Sequence, residues 1–133
     1  MGYESKVIAI QRVEYETPTG NTLVFGDEIA HFDLCKMGDE MVDGKRFNEV
    51  FTKPIDFDLY NMAEHSADDE WDRRTDCYGA ICKMATIEEV MAWVEKSETI
   101  KEYRRAQLFY SFLLALVAHQ HKFGTIMLVH FGY

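Results

Sequence analysis

The chain has 133 residues and a formal net charge of −9, and 47% of its residues are apolar. This length and composition fit one globular domain over residues 1–133 and exclude a largely disordered chain. The acidic balance disfavours direct binding to nucleic acid or to an anionic membrane, because both ligands require a basic face.

The N-terminal part of the chain predicts a β-hairpin. Residues 6–16 are rich in β-formers, and their later part alternates apolar and charged side chains. Residues 17–21 are a turn signal, because proline presets one turn dihedral and Gly or Asn accepts a positive φ. Residues 22–25 resume the β pattern. Residues 29–34 either extend this strand past a bulge at Gly26 and Asp27 or begin a short helix.

The middle of the chain predicts loops and one helix. Residues 37–53 are polar and punctuated by glycine, which indicates mostly loop. A helix is expected from Asp58, with a weak apolar stripe that includes Leu59 and Trp71. Residues 75–84 fit either a short buried strand or an irregular turn.

The last third of the chain predicts two helices and a strand. Thr86 and Glu89 form a capping box at the start of the first helix, and residues 99–102 repeat that pattern. The second helix is apolar almost all round, which predicts a central place in the core or in an oligomer interface. Gly124 suits the end of this helix, and residues 125–131, apolar on both faces, predict an interior strand.

These elements together predict an α+β fold. An N-terminal β-hairpin and a C-terminal strand are expected to pack on a long hydrophobic helix, with an acidic irregular or helical middle between them. Charge follows the same division, since residues 54–99 carry 12 acidic and 4 basic side chains, whereas residues 100–133 carry one acidic and four basic ones. The acidity is therefore a property of one segment.

The three cysteines, Cys35, Cys77 and Cys82, have neither the even number nor the spacing of a disulfide framework. No secretion signal is recognised, because the first apolar run, residues 7–10, is too short. The longest uncharged apolar stretch, residues 106–118, is also well short of the roughly 20 residues of a membrane span. We therefore expect a cytoplasmic protein with reduced thiols that act as small apolar side chains.

The histidines and cysteines predict neither a metal site nor a cofactor. His119 and His121 point about 200° apart on a helix, so they cannot share one ion. His121 and His130 meet only if the final strand lies beside the helix end. The spacing of Cys77 and Cys82 is not that of a zinc knuckle. No phosphate-binding loop, dinucleotide, hydrolase or metalloprotease motif occurs, so no catalytic residue is assigned.

The acidic segment, residues 64–76, has three interpretations. Its carboxylates fit a Mg²⁺ or acid–base site, a surface that imitates a phosphate backbone, or a solvated helix face offset by Arg73 and Arg74. The favoured functional hypothesis is a non-enzymatic acidic module that binds another protein through that protein's basic surface. The predicted contact residues, with the tryptophan as the central one, are Glu64, Asp68, Asp69, Glu70, Trp71, Asp72 and Asp76.

In size and charge only, the chain resembles immunity proteins of toxins and phage-encoded inhibitors of bacterial defence nucleases. That resemblance implies an inhibitor, an immunity protein or an anti-defence protein of a phage or mobile element, and it assigns no residue. One alternative is a small-molecule or nucleotide sequesterer, in which Arg12, Arg104 and Arg105 bind the anion and Tyr103 stacks on it. Another is a small hydrolase that uses histidine and carboxylates. A homo-oligomer through the apolar C-terminal helix and strand is a further expectation.

Overall fold

A computed structural model describes residues 5–34, 40–60 and 72–133. The strands are β1 (Ser5–Glu16), β2 (Thr22–Asp33), β3 (Lys53–Pro54), β4 (Asp58–Tyr60), β5 (Lys83–Thr86) and β6 (Met127–Gly132). The helices are α1 (Ile87–Glu95), α2 (Thr99–Glu102) and α3 (Arg104–Phe123), and a 3₁₀ turn spans Phe47–Val50. A mixed sheet with helices defines an α+β fold. Within these ranges, no helix is long and apolar enough to cross a membrane.

The strands form one sheet in the order β3-β5-β6-β1-β2-β4. β4 runs parallel to β2, and the other neighbouring strands are antiparallel. β6 lies between β5 and β1, as its apolar character on both faces predicted. The helix predicted from Asp58 is wrong at its start, because residues 58–60 form the edge strand β4, which buries Leu59 opposite Gly26. The remainder of that predicted helix lies outside the described residues.

The sheet is covered on both faces, which explains why β1 begins with an unbroken apolar run. On one face, here the helix face, Val7 and Ala9 pack with α1, α3 and the aromatic residues of the 3₁₀ turn. On the other, here the loop face, Ile8 and Ile10 pack against the segment between the 3₁₀ turn and Tyr60. Alternate residues of one strand therefore serve two separate cores.

Gly26 is a strand residue and not part of a bulge, which corrects the sequence prediction. The register shift instead falls between Ala9 and Ile10 of β1. A Cβ atom at Gly26 would lie 2.8 Å from Cδ2 of Phe57 and 3.1 Å from Cδ1 of Ile10. Glycine is required there because the Phe57 ring packs directly on the backbone of β2.

The capping box at Thr86 is confirmed, and the one at Thr99 is wrong. Glu89 N donates to Thr86 Oγ1 at 3.1 Å, and Thr86 N donates to Glu89 Oε1 at 3.2 Å. α2 begins at Thr99 itself, after Glu98, and has no side-chain cap. The Thr99 hydroxyl donates to the carboxylate of Glu40 at 2.5 Å. The chain is extended at Tyr103, which separates α2 from α3.

α3 lies on one face of the sheet and is not surrounded by the core. Its buried side chains, among them Phe109 and Leu113, form a single stripe. Leu108 is 57% exposed and Leu114 is 47% exposed. The prediction of a central core helix is therefore wrong, because only one side of α3 meets the sheet and the other side faces away from it.

Candidate functional site

The outer end of the β1–β2 hairpin carries an exposed apolar patch. Val13 lies opposite Phe25, and Tyr15 lies opposite Leu23, so these side chains share one face of the sheet. They surround an open hollow of about 380 Å³, and we call this surface the hairpin patch, formed by Val13, Tyr15, Leu23, Phe25, Asp27 and Tyr60. The rings of Phe25 and Tyr60 are 5.3 Å apart.

The hairpin patch is exposed because α3 ends before it. Gln11 Nε2 donates to the carbonyl oxygens of Phe123 at 3.5 Å and Gly124 at 3.4 Å. Side chains of Gln11, Val13 and Tyr15 share the helix face of β1, since strand residues alternate between faces. The helix therefore covers the sheet only up to Gln11. Tyr15, four residues further along β1 and on the same face, is 58% exposed.

Residues 73 and 74 of the acidic segment are attached to the same edge of the sheet. The backbone N–H of Leu59 donates to the carbonyl of Arg73 at 2.9 Å, and Arg74 Nε lies 3.2 Å from Asp58 Oδ1. These two residues are thereby held at edge strand β4, which ends at Tyr60. Five of the predicted contact residues lie outside the described residues: Glu64, Asp68, Asp69, Glu70 and Trp71.

The two described acidic candidates have different roles. Asp72 is exposed, and its Oδ1 accepts the N–H of Arg74 at 2.9 Å. Asp76 is buried, and its Oδ1 accepts the N–H groups of Tyr78 at 2.8 Å and Ala80 at 3.1 Å. Its Oδ2 accepts the N–H of Gly132 at 3.3 Å. Asp76 therefore holds the turn after it to the end of β6, and its carboxylate does not face solvent.

The structure does not bring together the basic residues of the nucleotide alternative. Arg105 Nε donates to the carbonyl of Asp33 at 3.2 Å, and Tyr103 and Arg104 adjoin it at the start of α3. Arg12 lies opposite Gly26, seven residues from Asp33 and therefore about 23 Å along β2. Arg12 thus belongs to a different surface from Tyr103, Arg104 and Arg105.

A second concave feature, the His130 cleft, lies between the 3₁₀ turn, the turn after Asp76 and strands β5 and β6. Its volume is about 550 Å³, and it is lined by Asn48, Glu49, Phe51, Thr52, Asp76, Ala80, Ile81, Lys83 and His130. The His130 ring is 5.5 Å from the ring of Phe51 and 6.5 Å from that of Phe47. The only sequence signal for this cleft was one histidine within an otherwise apolar strand.

Burial lowers the pKa of His130 below its ordinary value of 6.5, against the opposing effect of the Asp76 carboxylate. The unfolded chain therefore binds a proton more readily than the folded one, and folding stability falls as the pH drops below 6.5. The His130→Gln variant is expected to lack this dependence on pH. The difference in unfolding free energy between wild type and His130→Gln should therefore narrow as the pH falls below 6.5. Urea unfolding at pH values above and below 6.5 measures this difference. The control is His121→Gln, which changes an exposed histidine. Parallel profiles for wild type and His130→Gln would contradict the assignment.

His119 and His121, at the end of α3, do not approach His130. The ring of His119 packs on Phe123 at 4.6 Å. His130 lies opposite Val7, whereas the helix end contacts Gln11, about 13 Å further along β1. In the parts of the chain that the structure describes, no three His, Cys, Asp or Glu side chains cluster as metal ligands.

The cysteines only partly match their predicted role. Cys82 is a buried apolar side chain, and burial raises its pKa to about 12. Cys77 is exposed, against the expectation. Cys35 lies outside the described residues.

The described residues define an α+β protein with an exposed apolar patch that includes Tyr60, the last residue of β4. Comparison with known protein families, curated proteins and solved structures gives no match. Function is therefore inferred from the hairpin patch and the His130 cleft themselves.

Proposed function

We propose that the chain is a non-enzymatic protein-binding module that docks through the hairpin patch and the acidic segment. Two observations support this: Tyr60 belongs to the hairpin patch and lies four residues before the acidic segment in sequence, and residues 73 and 74 of that segment are held at edge strand β4. An apolar patch beside charged residues is typical of protein interfaces, in which the centre is apolar and the rim is polar.

The partner that fits this surface has a basic rim around an apolar centre. The net charge of −9 attracts such a partner over a distance and raises the rate of association. Exposed Tyr15 and Tyr60 provide rigid amphipathic contacts, the type that carries most of the energy in an interface. In the finer form of the proposal the basic rim is a nucleic-acid-binding groove, and the chain is a cytoplasmic inhibitor, immunity protein or anti-defence protein.

Self-association is the competing use of the apolar surface. β6 pairs with both of its neighbours and offers no free edge, so a homo-oligomer would form through the outer side of α3, where Leu108 and Leu114 are exposed. Sedimentation velocity of the free protein measures whether it self-associates. If wild type forms an oligomer and Leu108→Ser does not, the contact between copies lies on α3.

The test of the proposed function is affinity capture from native lysate with matched variants. A single basic partner is expected to bind wild type and Leu108→Ser, which alters an exposed leucine away from the hairpin patch. Tyr15→Ser with Leu23→Ser is expected to weaken capture at least tenfold, the usual cost of losing central interface residues. A threefold charge reversal is expected to abolish it, and added salt to weaken it: Asp68→Lys, Asp69→Lys and Glu70→Lys.

Three results would overturn the proposed function. Undiminished capture by the charge-reversed variant would remove the acidic segment from the interface. Undiminished capture by the Tyr15→Ser, Leu23→Ser variant would remove the hairpin patch. Equal loss in Leu108→Ser would move the interface to α3. Circular dichroism of each variant shows whether the fold is intact, which the exposure of Tyr15, Leu23 and Leu108 leads us to expect for the changes at those three positions.

A further inference from the structure

The hydrogen-bond donors that line the His130 cleft are available to a ligand. Among the described residues, none forms a hydrogen bond or ion pair with the side chains of Asn48, Thr52, Lys83 or His130. Lys83 and His130 are directly opposite in neighbouring strands, so their side chains leave the same face of the sheet about 5 Å apart at Cβ. A cation and a ring N–H therefore stand side by side in this cleft.

The carboxylates that line the cleft already accept backbone hydrogen bonds. The Asp76 carboxylate accepts three backbone N–H groups, from Tyr78, Ala80 and Gly132. Glu49 Oε1 accepts the N–H of Arg46 at 3.1 Å, which closes the 3₁₀ turn. The cleft thus offers donors and keeps its carboxylates for the fold, which favours a ligand that brings its own acceptor oxygens.

We propose that the His130 cleft binds a small organic monocarboxylate. Its carboxylate would accept from Lys83 and from the His130 N–H, and the apolar part of the molecule would lie on Phe51 and Ile81. A volume of about 550 Å³ accommodates such a molecule and lies within the range of small-molecule sites.

The charges of the cleft select a monoanion over a dianion. Asp76 and Glu49 both line it, and each would repel a second negative charge on the ligand. Burial keeps His130 neutral, so Lys83 is the one cation in the lining. Lys83 therefore balances one negative charge of a ligand. A phosphate ester carries about two negative charges at neutral pH, so one of them would have no partner in the cleft.

The test is titration of the isotope-labelled protein with benzoate, followed by NMR. Saturable shifts centred on His130 and its neighbours are expected, with a Kd on the order of 1 mM. Lys83→Gln is expected to weaken binding about tenfold, because a charge-assisted hydrogen bond is lost. Lys53→Gln is the matched control, since this exposed lysine lies on the adjacent strand and does not line the cleft.

Three results would overturn this proposal. The absence of saturable shifts up to about 10 mM benzoate, ten times the expected Kd, would exclude the site. Equal affinity for neutral benzamide would exclude carboxylate recognition, and tighter binding of phenyl phosphate would exclude selection of a monoanion. The proposal is independent of the protein-binding function, because Tyr15→Ser with Leu23→Ser leaves the cleft intact and should bind benzoate as wild type does.

Discussion

Replacing Phe47 with alanine is expected to lower the free energy of unfolding by about 3–5 kcal/mol. Phe47 is 2% exposed, and its ring contacts those of Trp93 at 5.3 Å, Phe51 at 5.4 Å and Phe109 at 5.8 Å. These contacts join the 3₁₀ turn to α1 and α3, so the truncation leaves a cavity where three elements meet. Domains are typically stable by only 5–15 kcal/mol, so this single change removes a large share.

Urea unfolding measures this loss as a lower midpoint with an unchanged slope. The matched control is Phe123→Ala, which makes the same chemical change at a side chain that is 60% exposed. Its effect is expected to stay within about 0.5 kcal/mol. If both alanine variants unfold at the same urea concentration, the 3₁₀ turn does not pack on the core as described. Phe47→Leu should fall between wild type and Phe47→Ala, because it fills part of the cavity.

Replacing Glu40 with alanine is expected to cost about 2–3 kcal/mol, because it leaves buried donors without an acceptor. The Glu40 carboxylate accepts the hydroxyls of Ser97 and Thr99, each at 2.5 Å, and the N–H of Glu98 at 2.6 Å. Ser97 is fully buried, so its hydroxyl lies away from solvent when the acceptor is lost. The control is Glu102→Ala, an exposed carboxylate on α2, with an expected change within about 0.5 kcal/mol.

The contribution of Glu40 also depends on pH. Burial raises the pKa of Glu40, but the hydrogen bonds from Ser97, Thr99 and Glu98 outweigh it and hold the pKa below the ordinary 4.5. A depressed folded-state pKa gives stability that is present above 4.5 and lost as the pH falls through the folded value. The difference in unfolding free energy between wild type and Glu40→Gln should therefore shrink in acid. A difference that stays constant from neutral pH to pH 3 would refute this role.

The two candidate sites lie at different ends of the helix face. The hairpin patch begins at Val13, and the His130 cleft adjoins Val7, which pairs with His130. Six residues of strand separate them, about 20 Å. A small ligand in the cleft and a protein on the hairpin patch can therefore bind at once, and variants of one site serve as controls for the other.

Local patterns predicted the elements whose signals lie within a few residues. The alternation and turn residues of the hairpin, the capping box at Thr86 and the apolar final strand are all short-range signals, and each matches the structure. The box at Thr99 has the same local pattern and fails, because α2 begins at Thr99 itself, which places the hydroxyl inside the helix and not at the residue before it. The hydroxyl instead donates to Glu40, 59 residues away in sequence, a contact that a local pattern does not show.

Non-local contacts decided what local patterns could not show. β4 is a strand because Leu59 finds a partner in β2, and Gly26 must be glycine because Phe57 packs on it. The hairpin patch is exposed because α3 ends at Phe123, which lies against Gln11 of β1 and does not reach the outer end of the hairpin. In the sequence, Val13 and Tyr15 have the pattern of a strand that buries one face, and that pattern does not show that the helix ends before reaching them.

By itself, the sequence determined the α+β class, the hairpin, the main helices and the concentration of negative charge in residues 54–99, because composition and short-range periodicity carry that information. Only the tertiary structure decided which apolar side chains stay exposed, and only it placed Tyr60 in the hairpin patch and Lys83 beside His130. Such placements depend on pairing between strands far apart in the chain, and the residues of one segment do not specify their partners in another.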